Sequence, residues 1–291
     1  KIDLAISGGT EAYQYAWTSS LGAKDISGTA TAQNQIELTA GTYTVVVTDA
    51  NGCIETDSYT LTQPDVLAIT ETILQYNGGF QISCNGEDDG KIDLAISGGT
   101  EAYQYAWTFS LGATDISATA TAQNQNNLGP GTYTVVVTDA NGCTETESYT
   151  LTEPDALSLS STKVDFNGFN ISCNGALDGE IDLIVTGGTS SYTYSWSTSN
   201  GSGLALTAQD QSGLSAGTYT VKVTDTNNCD ISDTFTITQP PPLVLTAVLS
   251  DFNGFNISCN AGNDGTIDIT ATGGLLVTGD NYTYAWTQSN G

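Results

Sequence analysis

The sequence predicts an all-β chain of tandem β-sandwich repeats, about 90 residues each, forming an elongated rod. Three observations carry that expectation. Residues 41–53, GTYTVVVTDANGC, recur letter for letter at 131–143, and a third copy, GTYTVKVTDTNNC, ends at Cys229. The tryptophans fall at 17, 107, 196 and 286, a fixed spacing that marks a repeat architecture. Within each copy, apolar residues alternate with polar ones, the signature of a half-buried strand.

Each predicted strand follows from that alternation. In KIDLAISGG (91–99), Ile92, Leu94 and Ile96 share one face, while Asp93, Ala95 and Ser97 take the other. Tyr103, Tyr105 and Trp107 lie together in the next strand, as do Tyr192, Tyr194 and Trp196. GTYTVVVTD aligns Tyr133, Val135 and Val137, and SYTLTEP sets Tyr149 and Leu151 between threonines. Turn dipeptides separate the strands: DG at 89–90, GG at 98–99 and NG at 141–142. Six or seven short antiparallel strands per copy, with no helical run, make an immunoglobulin-like sandwich, with the aromatic stripe in its core. An odd strand number is expected, because each module must then be entered at one end and left at the other. The stretch 67–84 is too long for one strand. The NG at 77–78, 167–168 and 253–254 therefore marks a reversal or strong kink.

Proline-containing links TQPD (62–65), TEPD (152–155) and TQPPP (238–242) divide the chain, since proline cannot donate to a sheet ladder. The expected parts are 1–64, the C-terminal part of a repeat; 65–154 and 155–240, two complete repeats; and 241–291, the N-terminal part of another. Residues 1–64 and 91–154 differ at ten positions, a likeness that points to recent duplication. The chain reads as a window onto a longer one, with export or anchoring signals outside it.

Composition narrows the function. Five lysines (Lys1, Lys24, Lys91, Lys163, Lys222) and no arginine stand against 32 carboxylates, for a formal charge of −27. That balance argues against nucleic acid or an anionic membrane as partner, because phosphate binding needs clustered cations. No stretch reaches the ~20 apolar residues of a membrane span. Without His or Arg the usual general bases and oxyanion clamps are missing, so no catalytic residue and no enzyme activity are expected. Calcium is the one cofactor considered. The oxygens of Asp89, Asp93, Asp139, Asp178, Asp182 and Asp225 sit on or beside tight turns, and the link carboxylates Asp65 and Asp155 join them. Asx side chains closing their own turns explain the same residues without an ion. Four N-x-S/T tripeptides (170–172, 200–202, 256–258, 281–283) are expected by chance in so Ser/Thr-rich a chain.

The combination ISCNGxxDGxIDLxxxGG, YxYxW, AGTYTVxVTDANGC and TxTQP resembles the SprB-type repeat of Bacteroidota cell-surface adhesins, over the whole chain. NNC in place of NGC at 227–229 is a departure, as is the YNGGF or FNGF insert. The resemblance implies a long secreted protein, exported by the type IX system and displayed on the cell surface. In gliding species such proteins are moved along the cell to propel it.

Six cysteines without histidine or CxxC spacing, in a chain expected to be extracellular, read as disulfides rather than as a metal site. A reversal near residue 77 would return Cys84 toward the NGC turn of its own repeat. The preferred pairs are therefore Cys84–Cys143 and Cys173–Cys229, leaving Cys53 and Cys259 to partners outside the window. A cross-junction pair such as Cys84–Cys229 is the alternative, and the short pairs Cys53–Cys84, Cys143–Cys173 and Cys229–Cys259 are a third option.

The functional expectation is mechanical: a stiff stalk or spacer in an adhesin filament, in which each repeat advances roughly 40 Å. Its partners are neighbouring repeats of the same chain, and other copies if the filament is multi-chain. The rival reading is a module that captures surface polysaccharide or another cell by avidity. Its best candidate is Phe109, within the variable stretch 108–130, whose counterpart in the first copy is Ser19.

Overall fold

The computed structural model describes residues 1–20, 22–110, 112–276 and 281–288. The described residues form strands, three short 3-10 turns and no α-helix. In residues 1–64 the strands are β1 (Gln14–Ser19), β2 (Gly41–Thr48) and β3 (Ile54–Leu61). The next repeat holds β4 (Ala68–Ile73), β5 (Gly90–Ser97), β6 (Gln104–Phe109), β7 (Gln125–Leu128), β8 (Gly131–Thr138) and β9 (Thr144–Leu151). Then come β10 (Ser158–Lys163), β11 (Gly179–Thr186), β12 (Thr193–Thr198), β13 (Gln211–Leu214), β14 (Gly217–Thr224) and β15 (Asp230–Ile237). The last two are β16 (Val244–Leu249) and β17 (Ile267–Thr272).

The chain divides into two compact units. One comprises 1–70, 94–106 and 136–147, the other 71–93, 107–135 and 148–291. In the first unit β1, β2 and β3 form an antiparallel sheet, with Trp17 opposite Val45 and Tyr43 opposite Tyr59. Ile2, Trp17, Ile26, Tyr43 and Val45 make its core. The Trp17 indole N–H donates to the Ala32 carbonyl (2.9 Å), so the buried ring leaves no polar atom unpaired.

The second unit contains the most complete view of a repeat. Sheets β10-β11-β13 and β12-β14-β15 share one core, in which Ile181, Leu183 and Leu214 meet Trp196, Tyr219, Val221, Val223, Phe235 and Ile237. Each fully buried aliphatic side chain there contributes about 1.5–3 kcal/mol. This is the expected sandwich, and the order β4-β5-β7 and β6-β8-β9 repeats it. Outward-facing hydroxyls pair across the strands, as in Thr220 with Thr234 (3.0 Å).

Three features differ from expectation. A repeat has six strands rather than an odd number, because after β10 the chain runs through residues 164–178 as a loop instead of a strand. That loop contains the expected reversal: Phe166 and Phe169 bridge across Asn167-Gly168, and Tyr76 N–H donates to the Phe80 carbonyl around Asn77. Second, β7 (QNNL) and β13 (QSGL) carry no alternating signal, yet they are strands anchored by a buried glutamine. Gln211 accepts from Ala205 N–H (2.8 Å) and donates to the Ala205 carbonyl (2.9 Å). Third, IDLAIS at 2–7 retains only an Ile2–Gln35 bridge, and YTYAW at 282–286 forms no strand. The partner strand on which each motif pairs elsewhere, β4 or β8, has no counterpart within the sequence.

Candidate functional site

The most elaborated site in the second unit is the junction around link 152–157. The loop after the reversal reaches it first: Gln81 and Ile82 N–H groups both point at the Thr152 carbonyl (3.1 and 3.2 Å). The next turn then grips the link itself. Asn85 Nδ2 donates to the Pro154 carbonyl (3.1 Å), and Gly86 N–H donates to the Glu153 carboxylate. From the other side, Gly188 N–H donates to the Asp155 carbonyl (2.7 Å).

That contact explains the recurrent GG. Gly187 and Gly188 have φ of +74° and +61°, a region glycine enters freely. A Cβ on Gly187 would also run into the Ala156 carbonyl, and one on Gly188 into Leu157 and the Asp225 carboxylate. The GG pair is a seat for the incoming link.

The turn 225–229 is built on Asp225. Its Oδ1 accepts from Asn227 N–H and Cys229 N–H (both 2.9 Å), and its Oδ2 from Thr189 N–H (2.8 Å). Asn228, with φ +68°, stands where the other copies have glycine, which Asn tolerates better than other side chains. Asn227 then crosses the junction. Its amide accepts from Asn77 N–H (3.1 Å) and donates to the carbonyls of Asn77 and Ser83 (both 3.2 Å) and to Thr189 Oγ1 (3.0 Å). Beside it lies the disulfide Cys84–Cys229, with Cα atoms 5.6 Å apart and 145 residues between them in sequence. A crevice of ≈390 Å³ remains, lined by Cys84, Asn85, Asp155, Leu157, Gly188 and Cys229 among others.

The preferred pairs Cys84–Cys143 and Cys173–Cys229 are therefore corrected: Cys84 is bonded to Cys229, while Cys53, Cys143, Cys173 and Cys259 are free and exposed. The reversal was rightly placed, but it returns the chain to the wrong end for an internal bond. Asn170 N–H meets the Thr238 carbonyl (2.9 Å), beyond the C-terminal end of β15, whereas Cys229 precedes the first residue of β15. Eight strand residues separate those ends by roughly 26 Å, far above the ~6 Å Cα spacing of a bridge. The loop faces the exit of its own repeat, and hence the next repeat's turn.

The carboxylates considered for calcium do not converge. Among the described residues no three His, Cys, Asp or Glu side chains group as a metal site. Asp139 repeats the Asp225 arrangement, accepting from Asn141, Cys143 and Thr100 N–H groups. The Cys143 amide leads in holding its carboxyl below the usual range, as the Thr10 amide does for Asp49 in the first copy. Asp89 accepts from Ser83 N–H (3.0 Å). Burial pushes its pKa up, but hydrogen bonds from Ser83 and Tyr76 outweigh that and lower it. Asp178 caps Ser172 in the same way (3.2 Å). Asp93 pairs with Lys91 (2.7 Å), and Asp182 accepts from Thr162 Oγ1 (3.4 Å). Asp65 and Asp155 meet the GG seats through their main-chain carbonyls. Phe109 is 38% exposed but closes strand β6 rather than lying in a loop.

Sequence reading missed Asn77 and Asn227. Their signal was present, since each lies in a turn repeated in every copy, but a turn-forming Asn explains itself locally.

The SprB repeat family matches residues 81–110, 169–201 and 255–291, and a PKD-like domain matches 4–63. Given the near identity of 1–64 and 91–154, the second match covers the portion of a repeat that largely follows the first. No curated protein matches. Among solved structures, extracellular domains 3–5 of Drosophila OTK share 11% identity at a TM-score of 0.30, over 78% of this chain and 85% of that one. The N-terminal eight Ig domains of Down Syndrome Cell Adhesion Molecule share 12% at 0.30, over 89% of this chain and 39% of that one.

Proposed function

We propose that the chain is a structural segment of a secreted cell-surface adhesin, a reading supported by SprB repeat matches at three places and a PKD-like match at a fourth. In it, repeats 65–154 and 155–240, flanked by parts of two others, act as a stiff spacer. The observation that carries this reading is the junction. Link 152–157 is held by hydrogen bonds from both neighbouring repeats and bypassed by a covalent bridge. Such a joint resists bending and pulling, which an enzyme or a flexible tether does not require. The chemistry here is positional, and no residue is assigned a catalytic role. The partners are adjacent repeats and, in a fibre, other copies. The acidic surface disfavours nucleic acid and membrane insertion. Type IX export and service in gliding follow from the resemblance and belong to the same proposal.

The test is length. Scattering or single-particle imaging of the chain, and of a version with residues 155–240 duplicated, should show an increase of roughly 40 Å. No increase would overturn the spacer reading. Capture of polysaccharide is the second reading, favoured only by the exposure of Phe109. Retention on a glycan array that Phe109→Ser abolishes would favour it instead.

A further inference from the structure

Four of the six cysteines are free, and three of them, Cys53, Cys143 and Cys173, sit in half-built copies of the junction just described. Around Cys173, Asn174 Nδ2 donates to the Pro240 carbonyl (2.9 Å) and Gly175 N–H to Gln239 Oε1 (2.9 Å). These are the counterparts of Asn85–Pro154 and Gly86–Glu153 beside Cys84. Asn167 Nδ2 reaches the Leu276 carbonyl (3.3 Å), and Gly274 N–H donates to the Pro241 carbonyl (3.0 Å), so the following link is seated as well. Around Cys143, the Asp139 turn, the Asn141–Thr100 contact (2.9 Å) and the Gly99–Asp65 seat (2.8 Å) reproduce those around Cys229. Cys53 stands on the same turn, with Asn51 donating to Thr10 Oγ1 (2.7 Å).

The spacing accounts for which bond is present. Positions 145 residues before Cys53 and Cys143, or after Cys173 and Cys259, fall outside residues 1–291. Only Cys84 and Cys229 have each other.

We propose that Cys84–Cys229 is one rung of a repeating ladder. The ISCN cysteine of every repeat is bonded to the NGC or NNC cysteine of the next, so Cys173 and Cys259 bond forward and Cys143 and Cys53 bond back. Each rung forms when two thiols give up two protons and two electrons to a low-molecular-weight disulfide, which leaves as two thiols. Every repeat then carries two rungs, and tension passes from Cys84 directly to Cys229 instead of through residues 85–228. The proposal builds on the spacer reading but concerns its bonds rather than its length, so its failure would leave that reading standing.

The sequence supplies the test. Residues 289–291 match 199–201, so residues 202–240 appended after Gly291 continue the final repeat in register. The added NNC cysteine then falls 146 residues after Cys173, against 145 for the existing pair. Peptide mapping after equilibration in a glutathione redox buffer should find Cys173 bonded to the added cysteine, with Cys53, Cys143 and Cys259 in no protein disulfide, each a thiol or a glutathione adduct. Cys173 remaining free, or the added cysteine bonded to Cys259, would overturn the ladder. A second variant does not depend on the extension folding. In the original chain carrying Cys84→Ser, Cys229 should stay a thiol, and its re-pairing with Cys173 would equally defeat the rule.

Discussion

Trp196 and Trp286 occupy the same position in two copies of one repeat, yet the first is 3% exposed and the second 63%. The contrast extends along the motif. Ile181 is 0% exposed and its counterpart Ile267 55%, while Ile171 is 0% and Ile257 46%. Residues 155–240 form two three-stranded sheets around a shared core, and the described residues of 241–291 form one pair, β16-β17. What separates them is the partner sheet. In the complete repeat, Tyr219, Val221 and Val223 of β14 cover Trp196 and the β11 side chains, whereas residues 241–291 include no GTYT segment. Alternation is enough to make β16 and β17 pair, but the core needs strands that arrive later in the sequence.

The sharpest way to test this contrast is the bridge. Cys84→Ser opens a covalent loop of 145 residues, which in the loop-entropy model costs up to about 5 kcal/mol. Cys259→Ser, at the ISCN position of the incomplete copy, should change stability by less than about 0.5 kcal/mol. Thermal unfolding of the oxidised variants reads the difference, and equal shifts would contradict the assignment. Next comes the core itself. Trp196→Ala should destabilise by about 3–5 kcal/mol, and Trp286→Ala by less than about 0.5 kcal/mol, as measured by denaturant midpoints. A large effect at Trp286 would mean that 241–291 buries a core of its own.

The smallest effect is expected from pH. Asp49 and Asp139 have folded pKa values below the ordinary 3.8, because backbone amides hold their charged forms. A depressed carboxyl stabilises the fold fully above its unfolded value, and that contribution is lost as pH falls through the folded value. Stability should therefore be flat with respect to these groups above pH 4 and decline below 3.8. Asp139→Asn should flatten the decline, and NMR titration should place both carboxyls below 3.8. A midpoint at or above it would remove the assigned hydrogen bonds.

Much of the fold was legible because its signals are local. Period two placed β5, β6, β8, β9 and their counterparts in 155–240, and the NG dipeptides marked the reversals. Glycine pairs were read correctly as turns, though their closer purpose, admitting the link carbonyls, required seeing both sides of the junction. QNNL and QSGL escaped because their strands are fixed by one buried glutamine each instead of by alternation. The expected odd strand number failed for a related reason. Whether 164–178 becomes a strand depends on a neighbour, and the loop pairs with residue 238 instead.

Residue order alone determined that this chain is a β repeat, which faces are apolar, and that it carries a large excess of carboxylates. Those properties rest on interactions between residues a few positions apart and on composition. Tertiary structure alone decided which cysteine meets which, and that Asp139 and Asp225 hold amides. Strand ends far apart in sequence become adjacent or remote only once the sheets are laid down, and a bond as short as a disulfide obeys that final distance.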